Sequence, residues 1–243
     1  MMSSNPLVSL HGVMKEYPFG SGVLRALDEV NLNVSRGRLV ALLGPSGSGK
    51  TTMLSLIGGL EWPTRGRVVV DNVDLQSLNR NALTRYRQGK VGFVFQGFSL
   101  VPNLSALDNV LLPLEFASVP APLAMRRAME LLAMVGLADR SRHTPERLSG
   151  GEQQRVAIVR ALANDPPLIL ADDPIGNLDS KAGGEIVRLL GRLVHEASKT
   201  VIVAGYDALI EQAADEIVYI RDGRIRERAV NSQQGDPVNS RSR

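Results

Sequence analysis

Nine consecutive residues, Gly44-Pro45-Ser46-Gly47-Ser48-Gly49-Lys50-Thr51-Thr52, hold the most specific chemistry in the chain. They follow the apolar run Leu39 to Leu43 and precede an apolar-periodic segment that begins at Met53. In that context Gly44, Gly47 and Gly49 let the backbone curl so that successive N–H groups, those around Ser46, Ser48 and Thr52, face a polyphosphate. Lys50 would reach the terminal phosphates, and the Thr51 hydroxyl would serve Mg²⁺. The alternative is an ordinary glycine-rich turn that caps a helix.

Other chemistry-bearing residues stand at the ends of apolar runs. Pro167 to Ala171 ends in Asp172-Asp173, which suggests a Mg²⁺-organising carboxylate followed by a water-positioning one. Asp-Asp-Pro is also ordinary turn chemistry. Val91 to Phe95 ends at Gln96, where open α/β sheets place ligand groups. Leu148 to Arg155 opens a helix with Ser149 as N-cap and the N–H groups of Gly150 and Gly151 exposed at its positive end. That is either a capped helix or a second anion-binding terminus without a lysine of its own. Tyr17 closes the first strand, where an aromatic is either a half-buried strand residue or a ligand contact.

The elements that must position these residues alternate in type. Residues 7 to 17 and 27 to 34 read as antiparallel strands separated by Pro18, Gly20 and Gly22. A helix from Lys50 to about Gly58 and a strand from Gly66 to Asp74 follow. Residues 105 to 135 read as helical, with breaks at Pro113, Pro120 and Pro122. Asn177-Leu178-Asp179 leads into a long helix to about Ser198, then a strand at 200–204 and the turn Gly205-Tyr206-Asp207. Strands at 216–221 and 224–228 flank an Asp222-Gly223 turn. The chain from Ala229 onward has almost nothing to bury and is expected to be disordered.

Composition narrows the function classes. The 243 residues carry a net charge of +3, but the last 23 hold six arginines against three acids, which leaves 22 basic and 22 acidic residues in the body. That balance excludes a global nucleic-acid footprint, and no nucleic-acid partner is expected. The chain has no cysteine, which removes thiolate and disulfide chemistry. No apolar stretch approaches the roughly 20 residues that span a bilayer, and the start lacks a signal-peptide pattern, so a cytosolic or membrane-peripheral protein is expected.

GPSGSGKTT at 44–52, Gln96, LSGGEQQR at 148–155, LILADD at 168–173 and NLD at 177–179 occur in one order. With that set the chain resembles the nucleotide-binding subunit of ATP-binding-cassette transporters over residues 7 to 228. Finer stretches are similar to the lipoprotein-release and macrolide-efflux branch, whose relatives include a cell-division ATPase. The resemblance implies an α/β fold with a P-loop NTPase core and a parallel sheet, an N-terminal antiparallel β subdomain and an inserted α-helical subdomain. Residues 1–228 would form the ATPase domain, with the helical subdomain at about 97–165, and 229–243 a tail. It also implies a head-to-tail dimer closing on two ATP molecules, each held between one chain's phosphate loop and the other chain's Ser149, Gly150, Gly151 and Glu152, with Asp179 nearby. Tyr17 would stack on adenine, and Thr51, Gln96 and Asp172 would surround Mg²⁺. Lys50, Gln96, Asp173 and Tyr206 would form the catalytic set, and Val110 to Met125 would help receive an integral membrane permease subunit at the cytoplasmic face of the membrane.

Three positions depart from the family pattern. Asp173 stands where a glutamate usually polarises water, and one methylene less draws the carboxylate back by about 1.5 Å; misplacement of about 1 Å can cost on the order of a hundredfold in rate. Tyr206 stands where a switch histidine is usual, a neutral phenol in place of an imidazole. Ile175 replaces a small polar residue. His11, His143 and His195 lie elsewhere and read as structural or surface groups. A catalytically detuned ATPase, as homodimer or heterodimer, is expected; the alternatives are a transmembrane signalling ATPase of the cell-division type and a non-hydrolysing nucleotide-binding scaffold.

Overall fold

The computed structural model describes residues 5–231. Strands β1 (Val8–Phe19) and β2 (Gly22–Val34) form a hairpin, longer than the sequence pattern suggests because Pro18 pairs with Val23 inside it. After β3 (Leu39–Leu43) and helix α1 (Lys50–Ile57) come β4 (Arg65–Val70) and β5 (Val73–Asp74). The single strand expected over 66–74 is therefore two. Asp71 and Asn72, at φ 51° and 62°, make the reversing turn, a conformation that Asp and Asn tolerate better than most residues.

Helix α2 (Arg80–Lys90), capped by the Asn79 side chain, precedes β6 (Val91–Val94). The helices α3 (Ala106–Phe116), α4 (Ala121–Met134) and α5 (Gly150–Ala161) lie between β6 and β7 (Leu168–Asp172). Pro113 does not break the chain here. It sits inside α3, whose buried Val110, Leu111 and Leu114 hold the helix together despite the missing N–H. Pro120 caps α4 and Pro122 occupies its first turn, where a proline is tolerated, so the two helices part only at residues 117–120.

Helix α6 (Ser180–His195), β8 (Thr200–Gly205), α7 (Ala208–Ala213), β9 (Glu216–Arg221) and β10 (Arg224–Val230) complete the described chain. Ala229 and Val230 pair with Ile217 and Glu216, so the expected tail is corrected by two residues; its part from 232 onward lies outside the described residues.

Strands β1, β2, β4 and β5 form an antiparallel sheet in the order β2-β1-β4-β5. The second sheet runs β10-β9-β3-β8-β7-β6, parallel from β9 to β6. Its inner strands β3, β7 and β8 are apolar on both faces, as burial under two layers requires, whereas the edge strand β10 is charged and largely exposed. Val40, Leu42, Leu170 and Ile202 pack towards α1 and the antiparallel sheet, while Leu39, Ala41, Ile169 and Val203 pack towards the α3–α6 side. This is the α/β fold that the sequence predicts. Leu43 pairs with Gly205, Asp172 with Ala204, and Val94 with Ala171, so β3, β8, β7 and β6 end together at one edge.

Candidate active site

That edge carries the glycine loop, the carboxylate pair, Gln96 and Tyr206. A Cβ on Gly44 would lie 2.1 Å from the Ile220 carbonyl oxygen, so only glycine lets the loop leave β3 there. Gly49, at φ 104°, caps α1 without a side-chain hydrogen bond, which leaves the first N–H groups of the helix free for an anion. Gly47, at φ 76°, faces open space. The Lys50 ammonium donates to the carbonyls of Gly44 at 2.6 Å and Pro45 at 2.9 Å, and lies 3.4 Å from Ser48 Oγ. Burial pushes its pKa down, with Asp172 and Asp173 opposing. Ser46 flanks Gly47 in an exposed part of the loop.

Asp172 ends β7 and shares a hydrogen bond with the Thr51 side chain. Burial pushes its pKa up, and the neighbouring Asp173 charge adds to that; Thr51 and Lys50 only partly offset it. A carboxylate with this surplus of negative charge, beside a hydroxyl, suits a hard divalent cation. Among the described residues no group of three or more His, Cys, Asp or Glu could hold a metal, so phosphate and water oxygens would have to complete such a shell.

Asp173 adopts φ 44°, donates its N–H to the Ala204 carbonyl, and rests its carboxylate against Gly176. Gln96 Nε2 donates to Asp173 Oδ2 at 3.1 Å, which leaves the amide oxygen of Gln96 for another partner. Ile175 is 5% exposed and packs towards Gly183 of α6; an apolar side chain at this departure fills core space. Tyr206 is 82% exposed in the turn before α7, and Asp207 beside it caps that helix.

Tyr17 sits near the end of β1 with Lys15 Nζ 4.9 Å from its ring centre. Its hydroxyl donates to Glu61 at 2.7 Å and also bonds Thr52; burial and Glu61 push the phenol pKa up. Glu61 is a contact that no motif in the sequence marks.

Ser149 caps α5 reciprocally with Glu152, and Glu152 pairs with Arg140 at 3.1 Å. Ser149, Gly150, Gly151 and Asp179 line one groove of about 320 Å³, to which the phosphate loop contributes no residue. The structure thus gathers two separate sets: Lys50, Thr51, Asp172, Asp173 and Gln96 in one, the Ser149 segment with Asp179 in the other.

Fold and sheet edge together define an α/β P-loop ATPase of the ATP-binding-cassette type. The family model described as ABC transporter matches residues 27–176, and the chain belongs to that family. It is 47% identical over 223 residues to the ABC transporter ATP-binding protein MJ0796 of Methanocaldococcus jannaschii, covering 90% of this chain and 95% of the relative. The lipoprotein-releasing system ATP-binding protein LolD of Hyphomonas neptunium is 43% identical over 220 residues, 90% of this chain and 96% of its own. The macrolide export ATP-binding/permease protein MacB 1/2 of Paracoccus denitrificans is 42% identical over 96% of this chain and 35% of its own length. These relatives place the chain on the LolD/MacB branch. A solved dimeric structure of MJ0796 in a post-hydrolysis state with ADP and Pi superposes with a TM-score of 0.86 at 46% identity, covering 92% of this chain and 98% of that one.

Proposed function

We propose that the chain is the energising subunit of an ABC-type membrane transport complex, binding Mg-ATP at a dimer interface through a detuned site. What supports this most is that the polyphosphate cradle and the Ser149 groove lie apart on one chain, two half-sites that a head-to-tail second subunit would complete. The cradle of Gly44 to Thr52 holds the phosphates, Lys50 moves from its loop carbonyls to them, and Tyr17 takes the base. Thr51, Asp172 and the free oxygen of Gln96 hold Mg²⁺, which supplies charge neutralisation at the phosphates when bound.

Asp173 orients the attacking water and Tyr206 faces the γ-phosphate in the place of an imidazole. The short Asp173 side chain is already drawn to Gln96 and Gly176, and Tyr206 touches solvent, so turnover on this cradle is slow. A consensus partner subunit would receive an intact Ser149 to Glu152 segment and form a faster site.

The permease contact is a groove of about 620 Å³ lined by Phe93, Phe95, Leu112, Pro113 and Phe116. This is narrower than the Val110 to Met125 region expected from sequence: Val110, Leu111 and Leu114 are core, and Met125 lies on α4. Among the described residues no helix is long and apolar enough to cross a membrane. As the energising subunit, the chain sits against its permease on the cytoplasmic face. The test is ATP binding and ATP-dependent dimerisation of the purified chain beside Lys50→Ala and Ser149→Arg. Loss of binding in the first and of dimerisation alone in the second supports the proposal. Nucleotide binding indifferent to Lys50 would overturn it.

A further inference from the structure

A half-buried guanidinium, unpaired with any carboxylate among the described residues, holds the loop that follows Gln96 and lines one wall of the groove beside Phe93 and Phe116. Arg160, in the last turn of α5, donates from Nη1 to the Ser99 carbonyl at 2.7 Å and from Nη2 to the Phe98 carbonyl at 3.3 Å. Among the described residues no carboxylate pairs with it, and burial lowers its pKa. Withdrawing part of a charged group from water to bind two neutral carbonyls carries a desolvation cost, which the two hydrogen bonds to the loop offset.

They belong to a strained loop. Gly97, Phe98 and Ser99 have φ 73°, 64° and 47°, a left-handed run that non-glycine residues adopt only when their surroundings impose it. Ser99 Oγ reaches back to the Gln96 carbonyl at 3.5 Å, and Gln96 Nε2 reaches Asp173. The same loop touches the other end of α5: a Cβ on Gly150 would lie 3.5 Å from the tip of the Phe98 ring. The loop is therefore gripped at the last turn of the helix and touched near Ser149 at its first.

We propose that Arg160 is a positioning residue for Gln96, clamping the 97–99 loop onto α5 so that the Gln96 amide stays at the Asp172–Asp173 edge. The clamp also makes the loop follow α5, so a displacement of its Ser149 end on engaging a second subunit's nucleotide is carried to Gln96. The inference rests on the nucleotide-site reading above.

The test is single-turnover hydrolysis of labelled ATP by excess native chain, Arg160→Met, Gln96→Ala and the double variant, with ATP affinity measured with Mg²⁺ and with EDTA. Arg160→Met is expected to slow the chemical step at least tenfold, to leave ATP affinity in EDTA within twofold, and to reduce the Mg²⁺-dependent gain in affinity. In the Gln96→Ala background the same substitution should change the rate less than threefold. Arg160→Lys, which keeps one donor, should restore part of the rate and covers the case in which Arg160→Met fails to fold. An equal loss in both backgrounds, a wild-type rate in Arg160→Met, or no rescue by Arg160→Lys over Arg160→Met (if that variant does not fold, a rate in Arg160→Lys no faster than in Gln96→Ala) overturns the inference. Absence of ATP binding by the native chain would instead overturn the nucleotide-site reading itself.

Discussion

Alanine at two loop glycines separates what the loop needs for folding from what it needs for its ligand. At Gly49 a Cβ would meet the Ala26 carbonyl oxygen at 2.5 Å and Leu27 Cδ2 at 2.8 Å, at φ 104°. The backbone contributes about 1–2 kcal/mol of strain and the clash about 1–3 kcal/mol, so Gly49→Ala should lose about 2–5 kcal/mol. At Gly47, φ 76° gives the backbone cost alone, about 1–2 kcal/mol, because nothing lies within 4 Å. With about 2–4 °C per kcal/mol for a chain of this size, melting should fall by about 2–8 °C at Gly47 and by up to about 20 °C at Gly49. ATP affinity should fall in both, because the space open beside Gly47 is where the phosphates come close. Scanning calorimetry and ATP titration read the two effects. Native-like ATP binding by Gly47→Ala would refute the placement of the ligand, and equal melting temperatures would refute the steric reasoning.

Asp172 is harder to ionise in the fold than in the unfolded chain, so its ionisation subtracts stability. That subtraction is absent below the unfolded pKa, about 3.9, and complete above the raised folded value. Asp172→Asn should therefore melt above the native chain at pH 7, with the gap closing towards pH 4, while Mg²⁺-dependent ATP binding is lost; thermal melts at both pH values check the sign. Phe116 is 71% exposed, so Phe116→Glu should change stability by no more than about 0.5 kcal/mol and leave ATP binding intact. Co-purification with a membrane subunit should drop, and retention of it would exclude the groove.

Much of the fold is legible because local signals agree with packing. The runs at Leu39–Leu43 and Thr200–Gly205 are buried on every residue, and Ser149 and Asp179 are side-chain caps where the sequence puts helix starts. Helix α2 was not legible, since only Leu83 and Tyr86 of its eleven residues are buried and the rest gives no apolar period. The six-residue α7 is too short to show one. Pro113 misleads because tertiary burial overrides a local breaker.

At the site, residue types and spacing pick out the loop and the carboxylates, whereas their mutual contacts depend on chain separation. Gln96 meets Asp173 across 77 residues, and Tyr17 meets Glu61 across 44. Arg160 carries no distinguishing mark in the sequence: no acid stands three or four residues to either side of it, but the same is true of Arg80, Arg85, Arg87 and Lys90 in α2.

Steady-state ATP hydrolysis by the native chain beside Asp173→Glu, Tyr206→His tests the detuned site most directly, with ATP binding verified in both. A slow native chain and a gain of tenfold or more in the double variant, about 1.4 kcal/mol off the barrier, is the predicted result. A fast native chain with no gain in the variant would contradict it.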